Sequence, residues 1–378
     1  MRLRLQNVEE TSRDGYIRSV SHFIIWLNRT KPSLLSDEYR GLQWTEVKAK
    51  LKRPEGQPPI KLEQLTHLDF LAWVTTLKKA DGSAPGFSSL NGHKSALMNL
   101  FRDFKVIPSG EFIRELSVHF AAIRKNKAKE AANGSTPAES GKKPISFALY
   151  QKLLMVMLKQ SDKKYVFAST VMILSWNLMC RSKNTMNICS SHINWIEDAL
   201  TILFAHQKND QYGERRDPRH IYANPHLPHI CPILNLAMYL IVYPLVATDP
   251  KLFRGKCQYE RFRKIMKDFY SLDEVVQVLN NFSIDPNSLG SHSFRKGACT
   301  YCTSGSTVCP GGTAIHLRGG WKMPGVDGTY MRWEAAGDQF VGRTVSGLNI
   351  NSPDFGILPP FFENEELNGF EAVTQVCS

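Results

Sequence analysis

The 378-residue chain lacks the signatures of several large protein classes. No apolar run is long enough to span a bilayer, and the start, MRLRLQNVEETSRD, lacks the apolar core of a signal peptide. Walker loops, dinucleotide-binding glycine fingerprints, EF-hand loops and internal repeats are also missing. We therefore expect an intracellular protein with no membrane partner, whose eight cysteines are reduced thiols.

The composition indicates a globular and strongly basic protein. Hydrophobic residues make up 42% of the chain, and a length of 378 residues suits two domains better than one. Lys and Arg number 47 against 35 Asp and Glu, which gives a formal net charge of +12. This charge favours a polyanionic partner, nucleic acid first and an anionic membrane surface second.

The first third of the sequence has the apolar periodicity of amphipathic helices. Helices are predicted over residues 8–28, 62–77, 88–104 and 111–125, which together make a small helical bundle. A composition break follows, because NKAKEAANGSTPAESGKKP (126–144) is polar, lacks periodicity and contains Gly, Ser and Pro. We therefore predict a helical domain over 1–125 and a flexible basic linker over 126–144.

The remainder predicts a mainly α domain with a small antiparallel β-sheet. β-Branched alternation on either side of Glu197-Asp198 indicates a strand pair within 192–210. Residues 351–378, with Pro-Pro-Phe-Phe and several acidic residues, are predicted to be an extended tail. Helices are predicted over 146–160, 163–182, 229–246 (apolar nearly all round, hence buried) and 260–282.

The stretch from Gly290 to Trp333 contains the residues most suited to chemistry. His292 and Arg295 lie three residues apart on one predicted helix face, close to the helix N-terminus. An imidazole, a guanidinium and free backbone N–H groups together suit the non-bridging oxygens of a phosphate. Taken alone, this short pattern is more often a surface histidine and a solvated arginine.

The same stretch leaves a metal-binding alternative open. Cys299, Cys302, Cys309 and His316 form a possible zinc quartet. The first two cysteines fall on the helix that begins near His292, without the glycine turn of a zinc knuckle. Small buried thiols on a helix are the commoner outcome.

Four further residues are individually ambiguous. Arg181 follows a strongly apolar helix and therefore needs a carboxylate or a bound anion as partner. Lys208 falls at a predicted hairpin turn, where it can give up a proton or simply be exposed. Trp321 can donate its indole N–H or anchor a core, and Tyr330 follows it by nine residues on a Gly-, Pro- and Asp-rich loop where tyrosines usually pack.

The order of these residues resembles the active site of tyrosine recombinases, the phage-integrase-like enzymes. The ordered set is Arg181, Lys208, His292, Arg295, Trp321 and Tyr330. The resemblance covers roughly residues 145–345. SALMNLFRDF, HQKNDQYG, ICPILNLAMYL, GTYMRWEAAGDQFVGRTVSGL and FGILPPFF more narrowly resemble the recombinases of Crypton-type eukaryotic mobile elements.

The resemblance implies a fold and an activity. The fold would be a helical core-binding (SAM-like) bundle over 1–125 and a tyrosine recombinase catalytic domain over 145–350. The enzyme would cut and rejoin double-stranded DNA through a 3′-phosphotyrosyl intermediate, without metal, ATP or any other cofactor. It would act in the nucleus for a mobile element, as a homotetramer on DNA.

The resemblance also implies a role for each residue. Tyr330 would be the nucleophile and Lys208 the general acid. Arg181 and Arg295 would neutralise the charge of the phosphate, and His292 would orient it. Trp321 would donate its indole N–H or support the site by packing. Contacts to the DNA backbone would come from Arg215, Arg216, Arg219 and Lys94.

The chain departs from the family in two of its motifs. Asn184 stands where the family has an acidic residue, so we expect the Arg181 side chain to be held less firmly. The customary Leu-Gly-His of the third box is Gly319-Gly320-Trp321 here. Two alternatives stay open: DNA relaxation by a type IB topoisomerase-like cycle, and a domesticated DNA-binding protein without cleavage activity.

Overall fold

The computed structural model describes residues 10–52, 56–133, 141–204, 217–246, 248–321, 333–352 and 355. The chain divides into two compact units, Met1–Ser140 and Gly141–Ser378. The described residues are mainly helical with one three-stranded antiparallel sheet, which confirms the predicted mixture of elements. In these ranges, no helix is both long and apolar enough to cross a membrane.

The first unit is built on helices whose apolar faces meet in an aromatic core. Phe23 packs edge-on against Phe70 with ring centroids 5.4 Å apart, and its centroid lies 4.9 Å from that of Trp73. Offset and edge-to-face pairs of this kind add stabilisation beyond the area that they bury. The described helices are α1 (Glu10–Thr30), α2 (Trp44–Lys52), α3 (His67–Thr76), α4 (Phe87–Asp103) and α5 (Gly110–Ala132).

The predicted linker began too early. Helix α5 continues through Ala132, so residues 126–132 are helical. The local sequence KAKEAA has high helix propensity, and Lys127 pairs with Glu130 one turn later at 3.1 Å. At the other end, the Lys143 N–H donates to the Ser288 carbonyl at 2.9 Å, so that part of the predicted linker packs within the second unit.

The second unit packs most of its helices around the buried helix Lys163–Asn177. It also contains a small sheet of strands β1 (Ile193–Ile196), β2 (Ala199–Ile202) and β3 (Arg219–Ile221) in the order β1-β2-β3. Ile193 pairs with Ile202 across the predicted hairpin, and Leu200 pairs with Ile221 on the other side of β2. The described helices are α6 (Phe147–Leu158), α7 (Lys163–Asn177), α8 (Ser182–Met186), α9 (Pro232–Val242), α10 (Gln258–Phe269), α11 (Asp273–Asn281), α12 (Ser291–Ser304), α13 (Gly312–Gly319) and α14 (Ala335–Val345).

Helix α7 ends earlier than its apolar sequence predicts. The predicted helix reached residue 182, but the regular helix stops at Asn177. Met179, fully buried, has a φ of 46°, a left-handed conformation that is costly for a side chain of this size. The turn that results places Arg181 as the N-cap residue of the short helix α8.

Two further helices differ from their predictions. Helix α9 is not buried all round, because Leu234 and Ile241 are 45% and 61% exposed. Only the face that carries Asn235 is enclosed, where its side-chain oxygen accepts a hydrogen bond of 2.7 Å from Thr170 of α7. The helix predicted over 260–282 is instead two helices, α10 and α11, separated by a turn.

Candidate functional site

Helices α8 and α12 bring Arg181 next to His292, although more than a hundred residues separate them in sequence. The Ser182 hydroxyl, adjacent to Arg181, donates to the backbone carbonyl of Ser291 at 3.4 Å. His292 lies in the first turn of α12. Partial burial, together with the positive charges of Arg295 and Arg181, lowers the pKa of the His292 imidazole.

Arg295 lies one turn further along α12 and is only 7% exposed. Its Nη2 donates to the carbonyl oxygen of Gly319, and its guanidinium carbon lies 4.8 Å from the ring centroid of Trp321. Burial and the nearby charge of Arg181 lower the pKa of Arg295. Among the described residues, no carboxylate forms an ion pair with Arg181 or Arg295. Two close cations without a counter-charge make a site suited to an anion.

The Gly-Gly-Trp sequence explains how Trp321 reaches Arg295. A Cβ atom at Gly319 would lie 2.6 Å from Cε3 of the indole, so a side chain there would push the ring away. Gly320 has a φ of +64°, which terminates α13 in the left-handed conformation that glycine adopts readily. The backbone N–H of Trp321 then donates to the backbone carbonyl of His316 at 3.1 Å. The two glycines therefore position the indole over the guanidinium.

A buried ionic network lies behind this site. Arg318, whose side chain is fully buried, donates to Asp338 Oδ1 at 2.7 Å and to the carbonyl oxygens of His220 and Asn177 at 2.8 Å each. The backbone N–H of His220 donates to Asp338 Oδ2 at 2.8 Å. Burial opposes ionisation of Asp338, but the charge of Arg318 and the hydrogen bonds from His220 outweigh it and hold its pKa below the usual value. The network joins α7, β3, α13 and α14.

The network also fixes the chain on either side of residues 322–332. Arg318 lies three residues before Trp321, and Asp338 lies five residues after Trp333. The Trp333 ring stacks on His220 with centroids 6.3 Å apart and planes 7° from parallel. Nothing in the sequence patterns predicted this network; a lone arginine directly before the Gly-Gly pair was the available signal.

Most of the other predicted residues lie outside the described residues or in the interior of the second unit. Lys208, Arg215, Arg216 and Tyr330 lie outside the described residues, so their roles stay predictions. Arg219 is only 3% exposed in β3, with its guanidinium 4.6 Å from the centroid of Phe204. Burial lowers the pKa of Arg219 to about 10. The Arg219 side chain is enclosed in the described fold, and its role as a contact to a DNA phosphate stays a prediction.

Lys94 lines a groove between α4 and α5 of the first unit. Its Nζ lies 3.4 Å from the Ser117 hydroxyl and 5.1 Å from the ring centroid of Phe120. Burial lowers the pKa of Lys94. Arg124 and Lys125 line the same groove and add positive charge that no sequence pattern indicated. Basic side chains along a groove suit the phosphates of a nucleic-acid backbone.

The zinc quartet is not assembled. Over the described residues, Cys299, Cys302, Cys309 and His316 do not come within ligand distance of one another as a set. Cys302 is fully buried in the helix core, and burial raises the pKa of its thiol to about 12. The interpretation of Cys302 as a packing residue is confirmed.

Comparisons with known proteins give likenesses at low identity. No protein-family model and no curated protein matches the chain. Among solved structures, XerH site-specific recombinase bound to difH substrate matches with a TM-score of 0.41 and 12% identity, over 82% of this chain and 91% of that one.

Two other recombinase structures are similar to the chain. An FLP recombinase–Holliday junction complex matches with a TM-score of 0.37 and 16% identity, over 68% of this chain and 65% of that one. A lambda integrase dimer bound to a COC′ core site matches with a TM-score of 0.39 and 12% identity, over 82% and 78%. At such scores the likeness carries no inference about function, which depends on the residues of this chain.

Proposed function

We propose that the protein is a tyrosine recombinase that cuts and rejoins double-stranded DNA. The observation that carries the proposal is the convergence of Arg181, His292 and Arg295 on one site that lacks a counter-charge among the described residues. A DNA phosphodiester supplies the missing negative charge. The order of Lys208 and Tyr330 relative to these residues fits the same enzyme class.

The proposed reaction needs only groups of this chain and the DNA. The Tyr330 oxygen attacks the phosphorus, the bond from phosphorus to the 5′-oxygen breaks, and the DNA 3′ end becomes attached to tyrosine. His292 accepts the tyrosine proton, and Lys208 supplies the proton that the departing 5′-oxygen needs. The free 5′-hydroxyl of a second strand reverses the step, so the phosphodiester energy is retained.

The positioned groups stabilise the charge that develops in this step. Guanidiniums bind phosphate oxygens through parallel N–H donors, and both Arg181 and Arg295 would act in this way. Trp321 holds the Arg295 plane in place from one side while the Gly319 carbonyl fixes its edge. These contacts exist before the substrate binds, which is what electrostatic stabilisation of a transition state requires.

The DNA contacts, the oligomeric state and the cellular location belong to the same proposal. Lys94, together with Arg124 and Lys125, would bind the DNA backbone, as would Arg215 and Arg216. Exchange between two duplexes calls for four active sites, and hence for a homotetramer on DNA. The Crypton-like segments favour a nuclear enzyme that moves a mobile element.

A nicked suicide duplex tests the proposal. Cleavage close to the nick releases a short fragment with its 5′-hydroxyl, so the covalent intermediate is trapped. Because the target site is not given by the sequence, a pool of duplexes with a randomised centre is used. We expect a covalent adduct that resists SDS, forms in EDTA and disappears in Tyr330→Phe.

The matched control is Tyr243→Phe, which removes a hydroxyl that donates to the Lys163 carbonyl at 3.1 Å, away from the site. This variant should form the adduct at the normal rate. An adduct that persists in Tyr330→Phe, or one that needs Mg²⁺, would contradict the mechanism. Relaxation of a supercoiled plasmid without strand exchange between paired sites would instead favour the topoisomerase alternative.

The lowered pKa of His292 predicts the pH dependence of cleavage. An unperturbed imidazole titrates near pH 6.5, and partial burial plus Arg295 and Arg181 shift His292 below that value. The imidazole can accept the Tyr330 proton only when it is neutral. Single-turnover cleavage should therefore rise as the pH climbs through the lowered pKa and should be level at neutral pH.

The stability of the folded protein should change in the same direction. The unfolded chain takes up the proton at a higher pH than the folded chain. The contribution of His292 to the free energy of unfolding is therefore present above pH 6.5 and is lost as the pH falls.

His292→Gln should cleave slowly and lose the rise of the cleavage rate with pH. A profile of unchanged shape in the variant would exclude His292 as the titrating group.

A further inference from the structure

A cluster of metal-ligand side chains lies in the first unit. His67, Glu115 and His119 each direct a possible ligand atom to one place, and these atoms lie within 4.8 Å of one another. In the part of the chain that the structure describes, no other group of three His, Cys, Asp or Glu side chains meets this condition. All three side chains are half-buried.

Two separate elements hold the ligands in place. His67 is the first residue of α3, where Thr66 and Asp69 form a reciprocal capping box. The Asp69 carboxylate is fixed further by an ion pair with Lys31. Glu115 and His119 lie four residues apart on α5 and therefore share one face of that helix. The cluster thus spans two helices that are far apart in sequence.

The hydrogen bonding of His119 suits metal ligation. Its Nδ1 lies 2.8 Å from the backbone carbonyl oxygen of Glu115. A carbonyl can only accept, so Nδ1 carries the proton and Nε2 keeps its lone pair. Ligating histidines commonly donate their other ring nitrogen to a backbone carbonyl in this way. The His67 and His119 ring centroids lie 5.6 Å apart.

The carboxylate has capacity left for a metal. Arg114 Nε lies 3.3 Å from Glu115 Oε1, and its side chain is 70% exposed. An exposed pair of this kind contributes little. The second oxygen of the Glu115 carboxylate forms no hydrogen bond or ion pair within the described residues. Tetrahedral zinc with bonds of about 2.1 Å holds its ligand atoms about 3.4 Å apart. Small rotations of the half-buried side chains therefore close the site.

We propose that His67, Glu115 and His119 bind a divalent transition-metal ion, zinc above all, which fastens the start of α3 to α5. Two imidazoles and one carboxylate are a ligand set typical of zinc, while Mg²⁺ and Ca²⁺ prefer oxygen ligands. Water completes the coordination. Helix α5 also carries Ser117, Phe120 and Arg124 of the basic groove, so the metal would brace the helix that lines this groove.

The test uses the full chain, free of any affinity tag, after treatment with EDTA and removal of the chelator. Isothermal titration with Zn²⁺ should show one site that is at least about tenfold weaker in His67→Gln and in His119→Gln. Zinc at a hundredfold excess over its dissociation constant should raise the melting temperature by about 3 °C or more. Millimolar Mg²⁺ should leave the melting temperature unchanged. Co²⁺ should give visible absorption bands that require both histidines.

The matched control is His226→Gln, which removes an exposed histidine of the second unit. It should bind Zn²⁺ as the unaltered protein does. Unchanged Zn²⁺ affinity in His67→Gln, His119→Gln and Glu115→Gln, or an equal loss in His226→Gln, would overturn the proposal. The cluster contains none of the proposed cleavage residues, so chelation should lower the melting temperature while the Tyr330 adduct still forms below that temperature.

Discussion

Arg295→Ala is expected to slow single-turnover cleavage of the suicide duplex by about 10²–10³-fold. The guanidinium is held between the Gly319 carbonyl and the Trp321 ring before any substrate arrives. Its removal takes away a fixed cation at the place where phosphate charge increases. Arg295→Lys should recover only part of the rate, because an ammonium neither stacks on the indole as a plane nor forms two parallel hydrogen bonds.

Lys296→Ala is the matched control, since it removes one positive charge from the next position of α12. Lys296 is exposed and its Nζ donates to the Lys142 carbonyl at 2.6 Å. The cleavage rate of this variant should stay within about threefold of normal, as expected for a screened surface charge. Equal losses in Lys296→Ala and Arg295→Ala would mean that overall charge, and not the placed guanidinium, supports the reaction.

Asp338→Ala is expected to lower the free energy of unfolding by about 3–5 kcal/mol. The substitution leaves the fully buried guanidinium of Arg318 without its counter-charge, and it leaves the His220 backbone N–H without an acceptor. Urea denaturation followed by tryptophan fluorescence measures the change. The double variant Arg318→Met/Asp338→Leu should cost less than the sum of its single substitutions, because it removes both charges together.

Lys159→Ala is the control, because it breaks an ion pair of the same length that is exposed and not buried. Lys159 and Glu274 pair at 2.7 Å, the same distance as Arg318 and Asp338, but their side chains are 66% and 45% exposed. Breaking this pair should change the free energy of unfolding by less than about 1 kcal/mol. Similar losses in Asp338→Ala and Lys159→Ala would contradict the assignment of the buried network as the structural support of the site.

The sequence predicted the elements where local signals are strong. Periodic apolar residues located the helices α1, α3, α4 and α6 and the start of α5. The hairpin around Glu197 followed from alternation and was also found. Helix α2 was missed because its nine residues give little periodic signal.

The prediction failed where tertiary packing decides the outcome. The end of α7 at Asn177 depends on a left-handed Met179 within a continuous apolar run. The burial of Arg219 depends on a strand of three residues whose positions are all buried, so alternation could not reveal it. Arg318 and Asp338 meet only because α13 and α14 pack together, and the pair has no sequence pattern.

The candidate site was predictable to a different degree at each residue. Arg181, His292 and Arg295 were selected by their order along the chain, and the structure brings them together. The pairing of Arg295 with Trp321 was not foreseen, because it depends on the close approach that Gly319 permits. Lys208 and Tyr330 lie outside the described residues, and their roles stay predictions.

The most direct test of the central claim is to identify the residue that becomes joined to DNA. The adduct is formed with a suicide duplex labelled at the 5′ end of the cut strand, and the label is located by denaturing gel electrophoresis. The same adduct is then digested with protease and nuclease, and its peptides are sequenced by mass spectrometry. We expect the label to migrate with the protein before digestion and the modified peptide to carry the 3′-phosphate on Tyr330. A phosphate on any other residue, or a label that is retained only from the 3′ end of the cut strand, would contradict the account.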